Sequence, residues 1–578
     1  MRQTVRQTHI NPVRAALDSC KPHFVNAAIF SAVSNILALV PSIYMMQIYD
    51  RVVPTGGTAT LLLLSLVALF GLATMSALDW LRGRLLVRAG AKLDAELAGR
   101  TLHLIMTRPR IGSLARSDAM RHLDTLRQGV STPAAAAIFD IPWAPLYIVA
   151  SFLLHPVLGL LSLGAAILLL ILAWDNERSI RTPVRIVAEA GSAAYSQQAQ
   201  ITSFAGDIRA LGMADALSRL VLAERAKVNM LQASAGFIGG NHSSLLKFLR
   251  MALQSAALGV GAILVVKGEA SGGAIFAASL LLGRALAPID QVVAAWKTIL
   301  QTRTAYDKLS ELFDAEGLRI HTVLPAPTGA IEVEHLIVTA PGSDRVAVSD
   351  INFTVAPGEV IALIGASGSG KSTLLRALAG ADLPARGFVR FDGASVEDWD
   401  SETLAPHVGY LPQSFVLFQG SVKDNIARFQ TAAEDASPAL DLAVIAAARS
   451  IGAHDMILRL PQGYDTPIGH RGMGLSAGQA QRIAIARALF RSPRILLLDE
   501  PTANLDADAQ RAFETSMSQL RRAGSTVIFS THSPELLKLA DKLMVLREGR
   551  IERFGPVVAE TRAINARPNV HASWKAAS

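Results

Sequence analysis

The run Gly365-Ala366-Ser367-Gly368-Ser369-Gly370-Lys371-Ser372 follows the strand-like stretch Val360 to Ile364 and opens the helix-like stretch Thr373 to Ala379. That is the setting a P-loop requires. Its glycines let backbone N–H groups turn inward around phosphate oxygens, Lys371 reaches the β- and γ-phosphates as a point charge, and Ser372 offers its hydroxyl to magnesium. On this reading Gly365, Ser367, Gly368, Ser369, Gly370, Lys371, Ser372 and Thr373 hold a nucleoside triphosphate. By itself the motif says no more than that.

A second group lies downstream: Leu475-Ser476-Ala477-Gly478-Gln479, then an apolar strand Ile495 to Leu498 ending in Asp499-Glu500. Together with the P-loop this resembles the ATP-binding cassette (ABC) family. The resemblance implies ATP as the nucleotide and places Ser476, Gly478 and Gln479 at a helix N-terminus, where free N–H groups and the positive dipole end suit a γ-phosphate. In the family this signature serves the ATP of the partner subunit, so a nucleotide-sandwich homodimer is implied. Asp499 would hold magnesium, with Ser372 and Gln413 as further ligands, and Glu500 would polarise the attacking water. Gln413, Asp506 and His532 match the family's Q-loop, D-loop and switch histidine. A lone His532 could equally cap a strand end. Its place just after the apolar strand Thr526 to Phe529, beyond Asp499-Glu500, favours a γ-phosphate sensor. With Glu500 and His532 both intact, a symmetric, hydrolytically competent pair is expected.

These motifs follow a long greasy region. Of the 578 residues 51% are hydrophobic and only 18% charged, an excess that calls for membrane spans rather than a soluble cassette protein. The net charge of +8 raises the question of nucleic acid. The basic residues cluster beside apolar segments and no base-reading motif accompanies them, so none is expected as a partner. The single Cys20 excludes an intrachain disulfide framework and is expected to be inert. Residues 1 to 23 carry Arg2, Arg6, Arg14 and Lys21, and the apolar run after them is too long for a signal-peptide core.

Phe24 to Tyr49 and Thr58 to Leu78 read as two spans joined by a turn-like Asp50 to Gly57. Ile141 to Trp174 would be roughly 50 Å as one helix, too long for one crossing. His155-Pro156 splits it into a hairpin of two spans, the first beginning near Ala136. A third pair, Leu245 to Val266 and Ser271 to Val292, surrounds Lys267-Gly268-Glu269. Six spans put both termini and the ATPase on the cytoplasmic side. The long inner segments are basic as that requires, with Arg82, Arg84, Arg88, Lys92, Arg100, Arg108 and Arg110 after span 2 and Arg178, Arg181 and Arg185 after span 4. The expected fold is thus a multi-domain membrane protein: residues 1–23 cytoplasmic, 24–313 an all-α six-helix transmembrane domain with helical extensions, 314–330 a linker, 331–555 an α/β P-loop cassette, and 556–578 a polar tail.

Fusion of membrane part before cassette resembles ABC exporters. Four phrases narrow the resemblance: Tyr44-Met45-Met46-Gln47-Ile48-Tyr49-Asp50-Arg51-Val52-Val53-Pro54, Phe139-Asp140-Ile141-Pro142-Trp143-Ala144-Pro145-Leu146-Tyr147, Arg209-Ala210-Leu211-Gly212-Met213, and Gly283-Arg284-Ala285-Leu286-Ala287-Pro288-Ile289. They are similar to the inner-membrane ATPase of type I protein secretion, within it the protease- and lipase-exporting, PrtD-like branch. The resemblance runs from about residue 20 to residue 555. It implies ATP-driven export of an unfolded polypeptide with a C-terminal secretion signal. It also implies a bacterial inner-membrane location, a periplasmic membrane-fusion adaptor and an outer-membrane channel. About 23 residues precede the first span, leaving no room for the N-terminal peptidase domain of some such exporters, so no substrate cleavage is expected. Exporters of this kind end their cytoplasmic extensions in short coupling helices against the cassette, for which Gly112 to Asp118 and Ala205 to Leu211 are candidates. Arg284 either lies on the polypeptide path or sits near the inner interface, snorkelling or paired; Asp140 poses the same question.

The chain departs from the family pattern at three places. Ala340, in Thr339-Ala340-Pro341-Gly342, stands where exporters commonly stack an aromatic on adenine. His470 stands where many place a glutamate before the signature, and Ala480 replaces a frequent arginine after it. None of these touches the phosphate chemistry. Two rival functions follow from other readings. An exporter of lipid, drug or small peptide would share the engine but need no adaptor, and six spans argue against a soluble ABC ATPase acting on ribosomes or DNA.

Overall fold

The computed structural model describes residues 11–107, 113–314, 324–340, 343, 345–432, 437–469, 472 and 474–557. Of the positions named above, Arg2, Arg6, Arg108, Arg110, Gly112, Pro341, Gly342, His470 and the tail from residue 558 lie outside them. The chain divides into two units, Met1–Leu318 and Arg319–Ser578.

In the first unit, six helical segments among the described residues are long and apolar enough to cross a membrane. They are Lys21–Thr55, Thr58–Thr107, Ala134–Leu154, Pro156–Thr202, Ala214–Val266 and Gly272–Ala294, here spans 1 to 6. Spans 2, 4 and 5 run 50, 47 and 53 residues, roughly 75 Å of helix against a hydrocarbon core of about 30 Å. They therefore continue as rods well past any apolar layer. Two tryptophans mark where that layer ends: Arg84 stacks over Trp80 at 4.5 Å and Arg178 over Trp174 at 4.0 Å. Such pairs suit the interface, where an amphipathic ring and a cation both find their preferred surroundings. Leu62, Leu63, Phe70 and Leu153 are exposed, as a lipid-facing surface would have them. His155 makes the expected break between spans 3 and 4, and its Nδ1 accepts the Val157 N–H at 3.3 Å to cap span 4.

The segment read as a turn after Tyr49 is helical instead. Span 1 continues through a π-helical turn, Ile48–Val52, to Thr55. The reason lies in span 6, whose first N–H groups need an acceptor. Asp50 supplies it, accepting the Gly273 N–H and the Ser271 hydroxyl, each at 2.7 Å, while Tyr49 stacks on Phe276 at 4.3 Å. Span 6 is the central helix, with 61% of its apolar window buried against 11% to 33% for the others. It packs on spans 1, 3, 4 and 5.

Asp140, at the inner end of span 3, is matched by three partners from two neighbouring spans, 1 and 2. Arg82 Nη1 donates to its carboxylate at 2.6 Å and Asn35 Nδ2 at 2.8 Å, with the Ser31 hydroxyl as a third donor. The Tyr147 hydroxyl then donates to Asn35 Oδ1 at 2.8 Å. Arg284, on span 6, is exposed within the chain and makes no ion pair among the described residues. Before span 1, Asn11 caps the helix Pro12–Ser19 and donates to Asp314 Oδ1 at 2.7 Å. Cys20 is buried, its thiol directed at the Ala89 carbonyl and pushed up by that burial. Between spans 4 and 5 a short helix, Ala205–Ala210, turns the chain, leaving Leu211 exposed. The other coupling candidate runs into the 19-residue helix Ser113–Ser131.

The second unit has, in chain order, β1 (Ile331–Thr339), β2 (Val346–Val355), β3 (Val360–Ile364), β4 (Arg386–Phe391), β5 (Ala394–Ser395), β6 (Val408–Leu411), β7 (Gly420–Ser421), β8 (Pro467–Ile468), β9 (Ile495–Leu498), β10 (Thr526–Ser530), β11 (Lys542–Arg547) and β12 (Arg550–Pro556). One sheet is antiparallel, ordered β2-β1-β4-β5, and β7 pairs β8; the large sheet is ordered β12-β11-β3-β10-β9-β6. All its neighbours are parallel except β11 and β12. β9 and β10 are buried along their whole length, which explains apolar runs without alternation.

Cutting one partner out of the Arg82–Asp140 network should cost about 3 kcal/mol, whereas replacing both should cost little. Asp140→Leu is therefore expected to lower the thermal midpoint of the solubilised protein, and Arg82→Met/Asp140→Leu to recover most of the loss. A double variant as unstable as the single one would show that the two charges are not coupled.

Candidate active site

Parallel strands that lie side by side end at one edge, and ligands of open α/β sheets bind beyond their carboxyl ends. Here β3, β10, β9 and β6 are consecutive neighbours. Leu498 is level with Phe529 and with Leu411, and Ser530 with Leu363. The P-loop, Thr531-His532, Asp499-Glu500 and Pro412-Gln413 therefore leave the sheet next to one another. Residues far apart in sequence thus reach one site because hydrophobic strands stack in that order.

The P-loop wraps tightly after β3. A Cβ at Gly365 would lie 2.4 Å from the Leu546 carbonyl oxygen, and one at Gly370, where φ is +100°, 2.7 Å from that of Ala347. Only glycine fits either place. The helix Lys371–Leu378 starts directly after Gly370 and aims its free N–H groups into the loop. Lys371 is buried and its Nζ donates to the carbonyls of Gly365 at 2.7 Å and Ala366 at 3.2 Å. Burial pushes its ammonium below the ordinary lysine value, opposed by the carboxylates of Glu500 and Asp499. Among the described residues the buried Ser369 hydroxyl has no hydrogen-bond partner, as suits a donor to a phosphate oxygen. Ser367 and Gly368 are exposed, and Ser372 and Thr373 half-buried on the first helical turn.

Asp499 is 3% exposed. The Ser530 hydroxyl donates to its Oδ1 at 2.6 Å and accepts the Glu500 N–H at 2.8 Å. Glu500 has φ +48°, a left-handed conformation uncommon outside glycine and concentrated at functional sites. That turn breaks the strand alternation between Asp499 and Glu500. His532 Nε2 is 3.6 Å from Glu500 Oε1, within ion-pair range but too long for a hydrogen bond. Gln413 is exposed just past β6. Among the described residues no three His, Cys, Asp or Glu side chains gather as a metal site. Magnesium does not need one, since it takes one or two protein oxygens and completes its shell with water and phosphate. The hard oxygens of Ser372, Asp499 and Gln413 beside a phosphate cradle fit it.

The signature forms a second corner. Ser476 caps the helix Ala477–Leu489 in a reciprocal box with Gln479. Inside that helix Gln481 is buried and clamps the segment after Glu500, donating to the Pro501 carbonyl at 2.7 Å and accepting the Asn504 N–H at 3.1 Å. A Cβ at Gly478 would lie 3.1 Å from the Asn504 carbonyl oxygen. Asp506 caps the helix Ala507–Arg522 through the Ala509 N–H at 2.9 Å and pairs with Arg482. The Ala509 amide and the Arg482 guanidinium hold its carboxyl below the usual range. Among the described residues no hydrogen bond joins Ser476 or Gly478 to the P-loop. Ala340 follows β1 directly, its N–H donating to the Arg345 carbonyl at 2.8 Å, and Ala480 packs against the cassette core.

The ABC transporter model matches residues 348–503, the ABC transporter transmembrane region model residues 24–287, and an AAA domain model residues 471–538. The chain is 40% identical over 548 residues to the type I secretion system ATP-binding protein PrsD of Rhizobium meliloti strain 1021, covering 94% of this chain and 93% of that one. It belongs to the ATP-binding proteins of type I secretion systems. Toxin RTX-I translocation ATP-binding protein of Actinobacillus pleuropneumoniae is 29% identical over 92% of this chain and 75% of its own length. Alpha-hemolysin translocation ATP-binding protein HlyB of Escherichia coli O157:H7 is 28% identical over 91% and 74%. The solved structure of a bacterial Atm1-family ABC exporter with ATP bound shares the fold, with TM-score 0.79 at 22% identity over 96% of this chain and 98% of that one. This type I secretion protein is accordingly a multi-pass membrane ATPase that couples ATP hydrolysis to transport.

Two residues that hold the site of this type I secretion ATPase together, Ser530 and Gln481, do not stand out in its sequence. Ser530 is the polar residue that ends the apolar run Val527 to Phe529 two places before His532, and that interruption was the available signal. Gln481 lies within a helix whose pattern conceals its burial. Ser530→Ala removes one hydrogen bond to a carboxylate and strands the Glu500 N–H, so the ATPase turnover number should fall about tenfold, with nucleotide affinity little changed. Steady-state ATPase assays against nucleotide-binding titrations check this, and a pure loss of affinity would contradict it.

Proposed function

We propose that this protein is the inner-membrane engine of a type I secretion system, exporting an unfolded polypeptide with a C-terminal secretion signal in a single ATP-driven step. The observation that carries this reading is the 40% identity to a type I secretion ATP-binding protein along both chains. The names of the RTX-toxin, cyclolysin and hemolysin relatives point to polypeptide cargo, and none suggests the lipid or drug alternative. Partners would be a second copy of the chain, a periplasmic adaptor and an outer-membrane channel, with the cassette and both termini in the cytoplasm.

At the sheet edge, Lys371 and the P-loop N–H groups bind the triphosphate of ATP, and the Ser476–Gly478 corner of the partner subunit completes the site. This division is supported by the way Gln481 fastens the signature to the Pro501–Asn504 segment. Magnesium, which Ser372, Asp499 and Gln413 would hold, would supply positive charge to offset that of the triphosphate. Glu500 takes the proton of the attacking water and His532 senses the γ-phosphate, with Ser530 orienting Glu500 through its backbone. Gln413 reports the closed site outward. The protein's contribution is positioning and charge stabilisation.

Glu500→Gln should lower hydrolysis by at least about 100-fold while ATP still binds. In the native host, mass spectrometry of the medium should then show one or a few proteins missing outside and accumulated inside. An unchanged set of secreted proteins together with shifted lipids or small molecules would overturn the polypeptide reading.

A further inference from the structure

The strand that leads to Gln413 and the helix that starts at the signature are fastened to each other. β6 runs into Pro412-Gln413, and the helix Ala477–Leu489 begins directly after Ser476. A Cβ at Gly409, inside β6, would lie 2.3 Å from the Ala488 carbonyl oxygen, so the strand and the last turn of the helix approach with room only for glycine. Arg487, on that turn, donates from Nη1 to the carbonyl of Val416, just past Gln413, at 2.9 Å. Arg428 reaches both elements at once. Its Nη1 donates to the carbonyls of Ala405 at 2.5 Å and Val408 at 3.1 Å, its Nε to that of Arg487 at 3.1 Å, and its Nη2 to that of Ala488 at 3.2 Å.

The carbonyls of Arg487 and Ala488 are among the last of the helix and have no partner within it, and a cation is favoured at that negative end. A guanidinium meets several such acceptors with a planar fork of donors that an ammonium cannot match. Burial, with the Arg487 cation beside it, pushes the Arg428 guanidinium down to about 10. Arg428 and Phe429 are both left-handed, at φ +54° and +60°, a conformation that costs energy outside glycine and persists where the surroundings impose it. The Phe429 ring meets Phe418 edge-on at 6.2 Å, and the fully buried Asn425 accepts the Phe418 N–H and donates to its carbonyl, each at 2.9 Å. The segment bearing Gln413 is thus held on one side at Val408 and on the other at Val416, in both cases to the helix whose far end is Ser476.

We propose that Arg428 and Arg487 are positioning residues that make the Gln413 segment and the signature helix one body, so that ATP bound at one site of the homodimer favours ATP at the other. Gln413 serves the ATP of its own subunit and Ser476 that of the partner subunit. A shift of one moves the other, and the two sites fill in step. The proposal rests on the homodimer and the division of roles proposed above, and adds the contacts by which the sites are coupled.

The test uses the full-length protein in nanodiscs, carrying Glu500→Gln so that ATP binds without turnover, titrated with ATP at equilibrium. Coupling of about tenfold between two sites gives a Hill coefficient of about 1.5. Arg487→Met should bring it to about 1 while the affinity for the first ATP and the thermal midpoint hold, because Val416 is exposed and water can replace the donor to its carbonyl. Arg487→Lys, which still offers that carbonyl a donor, should restore most of the cooperativity. Arg428→Lys keeps the charge without the four bonds, should lower the coefficient as well, and decides the matter if Arg487→Met does not fold. A coefficient of about 1 in the parent dimer, or one that survives both Arg487→Met and Arg428→Lys, would overturn the proposal. So would a lowered midpoint with cooperativity intact, the mark of a merely structural role. A single chain per nanodisc would sink the homodimer reading and this proposal with it, whereas a dimer that binds ATP without cooperativity would sink this proposal alone.

Discussion

A single hydroxyl at the end of a buried strand ties the carboxylate of Asp499 to the backbone of Glu500. Ser530 donates to Asp499 and accepts the Glu500 N–H, so β10 fixes the side chain on which the metal would rest and the backbone that aims Glu500. That contact exists only because β10 lies between β3 and β9. The strand order is in turn held by fully buried apolar residues, Ile495 to Leu498 and Val527 to Phe529. Hydrophobic stacking therefore sets the geometry in which a triphosphate can be gripped by one strand's loop and attacked from the end of another. The left-handed turn at Glu500 is the local strain that this arrangement carries.

The membrane half is organised by polar contacts for a different reason. In an apolar layer an unmatched charge or N–H is costly, so the few present act as fasteners. Asp50 closes the N-terminus of span 6, and Asp140 gathers Arg82, Asn35 and Ser31. These fix spans 1, 2, 3 and 6 relative to one another. The long helices of spans 4 and 5 continue as rods past their apolar stretches.

Much of this was legible in the sequence where local pattern and chemistry coincide. The P-loop, the paired Asp499-Glu500 and the break at His155-Pro156 each carry their own physical signature, and the fold assembled from them agrees with the family found by comparison. What escaped depends on long-range placement. Ser530 looks like an ordinary strand end until β9 is known to lie beside it. Gln481 looks exposed on a helix until the Pro501–Asn504 segment is seen to cover it. Asp50 read as a turn residue because its partner, Gly273, is more than two hundred positions away. Asp140 reads in the sequence only as a charge at membrane depth that needs a cavity or a partner, and Arg82 on another span is that partner.

The most direct measurement is transport itself. Inside-out vesicles containing the protein would be supplied with the polypeptide whose secretion it supports, in unfolded form, and the fraction protected from external protease followed with time. Protection that appears only with hydrolysable ATP, and is lost with Glu500→Gln, is the predicted result. ATP hydrolysis that proceeds while the polypeptide stays fully accessible, with lipid or a small solute moving instead, would contradict the account.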